Sequence, residues 1–241
     1  KRAMSIRAQI LGSDHPDVAE SHESYSRFYR LQKDALRGLK AAASAHKIRG
    51  KVFEIVSAGM SESDALTVSR LQQNAANSFF SCYAEMPGAT DTHVGSASDV
   101  LFSAKGGVSN GVFQRRRFTG TGQDSVTQNL LVSWRELNTQ LSSLIVGADV
   151  SKNQDMLKVK LDSLKNLADE IESQLAKRSV SFRKAKDFQN VTTKRIASLL
   201  PTNSTLVEFF KYDYLKLHPD TAITHYLVCV LDKSGKPIIK D

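Results

Sequence analysis

Two stretches in the middle of the chain carry apolar residues at alternating spacings of four and three. This spacing is typical of heptad helices, and the polar segment 146–155 that separates the two stretches is short. The pattern therefore predicts an antiparallel helical hairpin over residues 126–178. Its apolar positions are Leu130, Trp134, Leu137, Leu141 and Leu144, then Leu157, Leu161, Leu164, Ala168, Ile171 and Leu175.

The first 48 residues predict three helices joined by short turns. The first helix ends at Gly12, and the second begins at Pro16 with Ser13 or Asp14 as its N-cap. The third helix starts after Lys33-Asp34 and ends near Ile48. The apolar stripe of the second helix comprises Val18, His22, Tyr25, Phe28 and Tyr29, and that of the third comprises Leu36, Leu39, Ala43 and Ile48.

Residues 11–36 resemble a tetratricopeptide repeat. The residues that fall on the repeat pattern are Leu11, Gly12, His15, Pro16, Val18, Ala19, Tyr29, Ala35 and Leu36. Tyr25 departs from it, and no further repeat follows from Arg37 onward. Residues 1–9 resemble the second helix of a preceding repeat, so we expect Lys1 to lie within a longer array. The resemblance implies α-solenoid helices that bind a protein partner or a peptide.

The next part of the sequence predicts more helices with clear interruptions. We expect one helix over 51–60 and another over 61–86, with Ser61–Asp64 supplying a cap and acidic residues for the first turn. A loop rich in Pro, Gly, Ser and Thr follows at 87–98. The following helix is expected over 99–118, before a break at 119–125.

The C-terminal part changes to β-forming residues. After a short helix at Val191–Leu200, apolar runs at Leu206–Tyr214 and Tyr226–Leu231 predict two strands. A tight turn at Ser234-Gly235 leads to a third run, 238–241. Strands of this number would leave edges and an apolar face exposed, so the pattern indicates the opening of a larger sheet.

Residues 168–235 resemble the entry to a CHAT domain, the caspase-like domain associated with tetratricopeptide repeats. Residues 97–118 resemble, more loosely, the helical linker of that family. The matching positions in the tighter part are Leu175, Ala176, Ser179, Val191, Thr192, Ile196, Leu200, Pro201, Leu206, Val207, Glu208, Phe209, Tyr212, Tyr226, Leu227, Val230, Leu231 and Gly235. The resemblance implies a cysteine peptidase with a mostly parallel sheet flanked by helices. Its thiol would be activated by a histidine, because a thiol of ordinary pKa is mostly protonated at neutral pH.

The catalytic segments of that family do not occur in these 241 residues, so we expect no catalytic residue here. Cys229 in a strand and Cys82 on an apolar helix face are interpreted as core residues. His225 lies about 13 Å from Cys229 along the strand, too far for a thiol–imidazole hydrogen bond. His218 has no thiol or acid placed beside it, and Glu208 is expected to face solvent or to pair with a basic residue.

Composition narrows the functional classes further. The net charge is +8, with basic residues concentrated at 114–118 and 177–195. We interpret these as solvated helix faces rather than an RNA or membrane patch, because no aromatic residues interleave with them. No apolar run approaches the ~20 residues of a membrane span, and no secretory signal is present, so we expect a cytoplasmic protein. No motif for a metal, a phosphate group or another cofactor occurs.

The sequence thus predicts a mainly α protein that ends in the first strands of a caspase-like α/β domain. Its four parts are a tetratricopeptide-like region at 1–50, a helical continuation or linker at 51–125, the hairpin at 126–178, and the N-terminal part of a CHAT domain at 179–241. We expect a regulatory, protein-binding role in a protein that cleaves protein substrates through a Cys–His dyad outside this chain. The alternative is a helical interaction scaffold without catalysis.

Overall fold

The computed structural model describes residues 2–59, 62–117, 124–147, 154–180, 182, 192–217 and 221–240, and the side chains within these ranges except those of 57–67, 106–117, 146–147 and 154–155. The chain is mainly helical with a few strands near its C-terminus, as predicted, but these strands pair antiparallel, whereas the resemblance implied a mostly parallel sheet. The helices are α1 Arg2–Leu11, α2 Pro16–Leu31, α3 Ala35–Gly59, α4 Glu62–Ala84, α5 Asp91–Arg117, α6 Ser125–Gly147, α7 Gln154–Arg178 and α8 Thr193–Leu199. The strands are β1 Thr205–Leu215, β2 Ala222–Asp232 and β3 Ile238–Lys240.

The turn between α1 and α2 follows the predicted pattern, except for its cap. Gly12 adopts a φ of 85° directly after α1, a backbone conformation that favours glycine. Because Pro16 has no N–H, the first free donor of α2 is the Asp17 backbone N–H, which donates to His15 Nδ1 at 3.2 Å. The prediction of Ser13 or Asp14 as the cap was therefore wrong. Asp14 instead accepts a hydrogen bond from Lys51 Nζ at 2.8 Å.

Two helices are longer than predicted. Helix α3 joins the helices predicted near 35–48 and over 51–60 into one, because Val52 and Val56 extend the buried stripe of Ile48 at helical spacing through Gly50. A glycine inside a helix costs only about 1 kcal/mol relative to alanine, which such burial offsets.

Helix α5 begins at Asp91, so the loop predicted at 87–98 ends earlier than expected. Thr90 precedes the helix, and its backbone N–H donates a hydrogen bond to His93 Nδ1 at 3.3 Å. The serines of the first turns are accommodated because Ser96 and Ser98 donate their hydroxyls to helix carbonyls four residues earlier.

The chain divides into two compact units, each assembled from segments that are distant in sequence. Unit 1 comprises Lys1–Val18, Gly50–Ser69 and Gly107–Gln189, and unit 2 comprises Ala19–Arg49, Arg70–Gly106 and Asn190–Asp241. The four-part division expected from the sequence stays a prediction.

In unit 1, α6 and α7 pack as the predicted antiparallel pair. Residues early in α6 contact residues late in α7, and residues late in α6 contact residues early in α7. The first cluster contains Leu131, Trp134, Leu175 and Phe182, and the second contains Leu141, Leu161, Leu164 and Ala168. Helix α1 also contacts α7, where Lys158 Nζ donates to the Gln9 carbonyl oxygen at 3.0 Å.

In unit 2, α2 and α3 form a helix–turn–helix pair that packs against α4. Lys33 adopts a φ of 55° in the turn at 32–34. An added Cβ at Gly38 would lie 3.2 Å from Cys82 Sγ and 3.4 Å from the Ser26 carbonyl oxygen, so the three helices meet closely at this glycine. The tetratricopeptide assignment of this pair stays a prediction.

The sheet of unit 2 has the order β1-β2-β3, with antiparallel pairing throughout. The predicted strands are confirmed, and β1 and β2 extend beyond their expected limits. Phe210 pairs with Leu227, and this face packs with Phe79 and Phe80 of α4 in the main core of the unit.

Helix α4 also closes the outer edge of β1. The backbone N–H of Asp213 donates to Asn77 Oδ1 at 3.2 Å, and that of Leu215 donates to Ser81 Oγ at 2.9 Å. Side chains of one helix thereby satisfy edge donors that a neighbouring strand would otherwise take.

Candidate functional site

Both cysteines lie in the core of unit 2, which confirms their interpretation from the sequence. Cys82 and Cys229 expose none of their surface. Burial raises the pKa of each thiol to about 11, and a hydrogen bond from a serine lowers it only in part. Both thiols are therefore protonated at neutral pH, which excludes them as nucleophiles in this arrangement.

Of the other residues considered in the sequence, Glu208 lies opposite Cys229 in the β1–β2 register, and its charge also raises the pKa of that thiol. The ring of His225 contacts Tyr212 and Tyr214, with centroid distances of 5.4 and 5.3 Å. Glu208 forms an ion pair with Lys105, one of the two outcomes expected for it. His218 lies outside the described residues.

The predicted basic stretches fall largely outside the described side chains. At 114–118 no side chain is described. Of the stretch at 177–195, Arg178 Nη1 lies 3.9 Å from Asp124 Oδ1, an exposed contact of small energetic weight. Among the described residues, no cluster of His, Cys, Asp and Glu could hold a metal ion.

A buried charge network in unit 2 was missed by sequence reasoning. The Arg30 side chain, of which 3% is exposed, binds Glu85 through two hydrogen bonds of 2.6 and 3.0 Å. Tyr214 donates its hydroxyl to the same carboxylate at 2.8 Å, and its ring lies 5.3 Å from the Arg30 guanidinium. All three groups are engaged with each other, so the network connects α2, α4 and β1 and offers no open binding position.

Unit 1 contains an open cleft of about 340 Å³ among the described residues. It is formed by the α1–α2 turn, the second half of α3, and one face each of α6 and α7. We call it the His15 cleft. Its lining residues are Leu11, Asp14, His15, Lys51, Glu54, Ile55, Trp134, Asn138, Ile145, Leu161, Lys165, Asp169 and Glu172.

His15 has an unusual position in this cleft. It is 6% exposed, and burial lowers its pKa, with Asp17 raising it and Lys165 lowering it further. Because Nδ1 accepts a hydrogen bond from the Asp17 N–H, the neutral ring carries its proton on Nε2. Asp17 Oδ1, at 3.7 Å from Nδ1, is therefore not an ion-pair partner of this neutral ring.

The Nε2–H of His15 makes no hydrogen bond within the part of the chain that the structure describes. This nitrogen is buried. A ligand would reach it only if a lining side chain turned aside, and the flexible Lys165 is the neighbour whose charge acts on the ring. The cleft thus contains a buried donor that has no acceptor among the described residues.

The carboxylates of the cleft differ in their hydrogen bonds and ion pairs. Asp14 is paired with Lys51, and Glu172 Oε1 accepts a hydrogen bond from Trp134 Nε1 at 3.2 Å. Asp169 makes no hydrogen bond or ion pair within the described ranges, and it is exposed. The wall therefore presents one free carboxylate and one that is held in place by an indole.

A comparison with protein-family models, with curated proteins and with solved structures finds no match to this chain. The helices among the described residues include none long and apolar enough to cross a membrane. The site therefore has to be interpreted from its own geometry.

His15 was noted in the sequence only as a member of the repeat pattern, and Pro16 also as the start of the second helix. A histidine directly before a proline that opens a helix was the one available signal of its capping role. The other cleft residues carry no local signal, because they come from four segments separated by up to about 160 positions in the chain.

Proposed function

We propose that this chain is the regulatory, protein-binding part of a CHAT-type cysteine-peptidase-like protein, together with the N-terminal part of its peptidase-like domain. The resemblances at 11–36 and 168–235 support this proposal, as does the sheet that forms at 205–240. In this proposal a protein partner or peptide binds the tetratricopeptide-like helices, and the Cys–His dyad that cleaves the substrate lies outside this chain. The protein acts in the cytoplasm, where both free thiols stay reduced.

The His15 cleft is where we propose that the partner polypeptide binds. The observation that carries this function is the buried Nε2–H of His15, a residue that lines an open cleft, because this donor has no acceptor among the described residues. A buried donor without a partner costs about 1–3 kcal/mol. A backbone carbonyl of a bound peptide supplies such an acceptor, so binding removes a cost that the free chain carries.

The burial of both thiols supports the assignment of catalysis to residues elsewhere. Cys82 and Cys229 lie in a packed core and hold their protons at neutral pH. We therefore expect the chain by itself to bind peptides without cleaving them.

Selection of random twelve-residue peptides on the full chain tests the binding function. Trp134 is the single tryptophan of the sequence and lines the cleft, so its fluorescence reports binding at this position. We expect enriched peptides that change the Trp134 emission with a saturable titration. If no peptide is enriched over the immobilisation matrix, the binding function is wrong.

The second candidate is a helical interaction scaffold without any catalysis, which the buried thiols equally favour. The coding sequence that follows Asp241 distinguishes the two. A histidine segment and an LSACET-like segment within the next couple of hundred residues support the peptidase, and an early stop codon supports the scaffold.

A further inference from the structure

The His15 cleft has the opposite charge character to the chain as a whole. The full sequence carries a net charge of +8, yet four carboxylates and only two ammonium groups line the cleft. Since His15 is neutral, the lining carries a net negative charge. A negative concave surface concentrates cations, and a basic protein does not acquire one from its average composition.

Pairing within the lining leaves this net negative charge unchanged. The Lys51 ammonium is already paired with Asp14, so this pair contributes little net charge. Asp169 and Glu172 lie three positions apart on α7, and hence on one face of that helix. Trp134 fixes one oxygen of Glu172, while Asp169 remains without a partner in the described part of the chain.

The apolar residues of the lining suit the remainder of a long basic side chain. Leu11, Ile55 and Leu161 contribute aliphatic surface to the same cleft as the carboxylates. Lysine and arginine carry three or four methylene groups that pack on such surface while the charged end reaches a polar partner. A volume of about 340 Å³ is at the lower end of the range for ligand pockets, which suits one side chain and its flanking backbone.

We propose that the His15 cleft recognises an arginine or lysine side chain of an extended peptide, with Asp169 and Glu172 binding the cationic end and His15 Nε2–H donating to a neighbouring backbone carbonyl. This inference rests on the proposed peptide-binding function and names the ligand class of the same site. Lys165 turns away from the ring of His15 as the carbonyl enters, because the incoming cation repels its ammonium. Arginine is favoured over lysine, since its planar guanidinium can bind a carboxylate through two hydrogen bonds.

The test uses the full chain and a matched set of five-residue probes, acetyl-Ala-Ala-X-Ala-Ala-amide. X is arginine, its uncharged isostere citrulline, or glutamate, and Trp134 fluorescence reports binding. We expect the arginine probe to bind at least ten-fold more tightly than the citrulline probe, and the glutamate probe to give no saturable change. The preference for arginine shrinks as salt is raised, because screening weakens charge recognition at an open cleft.

Variants separate the contribution of the two carboxylates from that of His15. The double change Asp169→Asn with Glu172→Gln lowers the affinity for the arginine probe by at least ten-fold. It leaves the affinity for the citrulline probe within two-fold of the original value. Glu170→Gln, at an exposed position of α7 outside the lining, is the matched control and changes neither value. His15→Asn keeps a good N-cap residue but shortens the side chain, so it weakens all probes alike.

The outcomes separate this inference from the function on which it rests. Equal binding of the arginine and citrulline probes, or selected peptides without basic residues, overturns the inference while peptide binding stands. Binding of the glutamate probe, or of inorganic phosphate, at the Trp134 signal also overturns it and assigns Lys165 and His15 to an anion site. If neither the probes nor the random peptides bind, the proposed function itself is wrong.

Discussion

The two compact units treat their buried polar groups differently. In unit 2 the buried Arg30 is matched by Glu85 and Tyr214, and Asp99 Oδ1 accepts both the backbone N–H and the hydroxyl of Thr193, at 2.7 and 2.6 Å. In unit 1 a buried imidazole donor lines a cleft without an acceptor in the described residues. Polar groups that satisfy each other hold a fold together, whereas a donor left open beside a cleft retains its capacity for a ligand.

The ring nitrogens of His15 in unit 1 and His46 in unit 2 can be compared in the same way. His46 in unit 2 is as buried as His15, and one of its ring nitrogens also makes no hydrogen bond among the described residues. Its Nε2, however, lies 2.7 Å from Ser103 Oγ, which itself donates to the Val100 carbonyl. His46 does not line the cleft, so a free ring nitrogen alone does not mark a binding site.

The largest expected effect is the disruption of the charge network in unit 2. Glu85→Gln leaves the Arg30 guanidinium buried without a counter-charge, and we expect a loss of about 3 kcal/mol in the free energy of unfolding. Urea denaturation followed by circular dichroism measures it. Arg37→Gln removes an ion pair at the protein surface and serves as the control, with no resolvable change expected. Equal effects of the two changes would contradict a structural role for the network.

The next largest effect is expected in the labelling rate of the two thiols in the core of unit 2. With pKa values near 11 instead of 9, the thiols of Cys82 and Cys229 carry about a hundred-fold less thiolate at pH 8, so iodoacetamide should label them about a hundred-fold more slowly than an ordinary thiol. Mass spectrometry of the intact chain counts the labels over time. In guanidinium chloride both thiols should be labelled rapidly. Rapid labelling of the folded chain would show that this core opens readily.

Acid titration tests the buried state of His46, because the protonation of this side chain is linked to the free energy of unfolding. Burial lowers the pKa of His46 to about 4, with the backbone of Gln72 acting in the opposite direction. Since this value lies below the unfolded one of about 6.5, the contribution is complete above pH 6.5 and is lost as the pH falls towards 4. Between pH 7.5 and 5 we expect about 2 kcal/mol to be lost.

The variant His46→Gln isolates this contribution, because the carboxylates titrate in both proteins. Unfolding free energies of the two chains at several pH values between 7.5 and 5 provide the measurement. The difference between them should shrink as the pH falls. A constant difference over this range would mean that His46 does not titrate with a lowered pKa.

The smallest effect is expected at the cleft. His15→Asn retains a capping side chain for the Asp17 N–H, and its shorter amide no longer places a donor at the position of Nε2. We therefore expect the free energy of unfolding to change by no more than about 0.5 kcal/mol. The measurement is the same urea denaturation. A loss above about 2 kcal/mol would show that His15 is a structural residue of unit 1 and that its open nitrogen is incidental.

The parts of the fold that could be predicted are those with a short repeat in the sequence. The heptad positions of α6 and α7 and the β-forming runs of β1 and β2 determine their own packing faces. The continuation of α3 through Gly50 could not be predicted, because it depends on burial of Val52 and Val56 by distant segments. The early start of α5 depends on a contact between Thr90 and His93 that no periodic pattern shows.

The candidate site was less predictable than the fold. The capping role of His15 has a weak local signal in the proline that follows it. Its neighbours Lys51, Trp134 and Asp169 approach it only through the packing of α3, α6 and α7. A net charge of +8 would not predict a negative cleft, since composition averages over surfaces of both signs.

The hydrogen bonds of Asn77 and Ser81 close one end of the outer β1 edge. An additional strand cannot hydrogen-bond to β1 where α4 already occupies its donors. On the opposite side β3 pairs with β2 only over Val228–Val230, and its outer edge has no partner strand in the described residues. Main-chain pairing with Asp213 and Leu215 on the β1 side is therefore blocked, and the β3 side offers an edge to a polypeptide that extends this sheet.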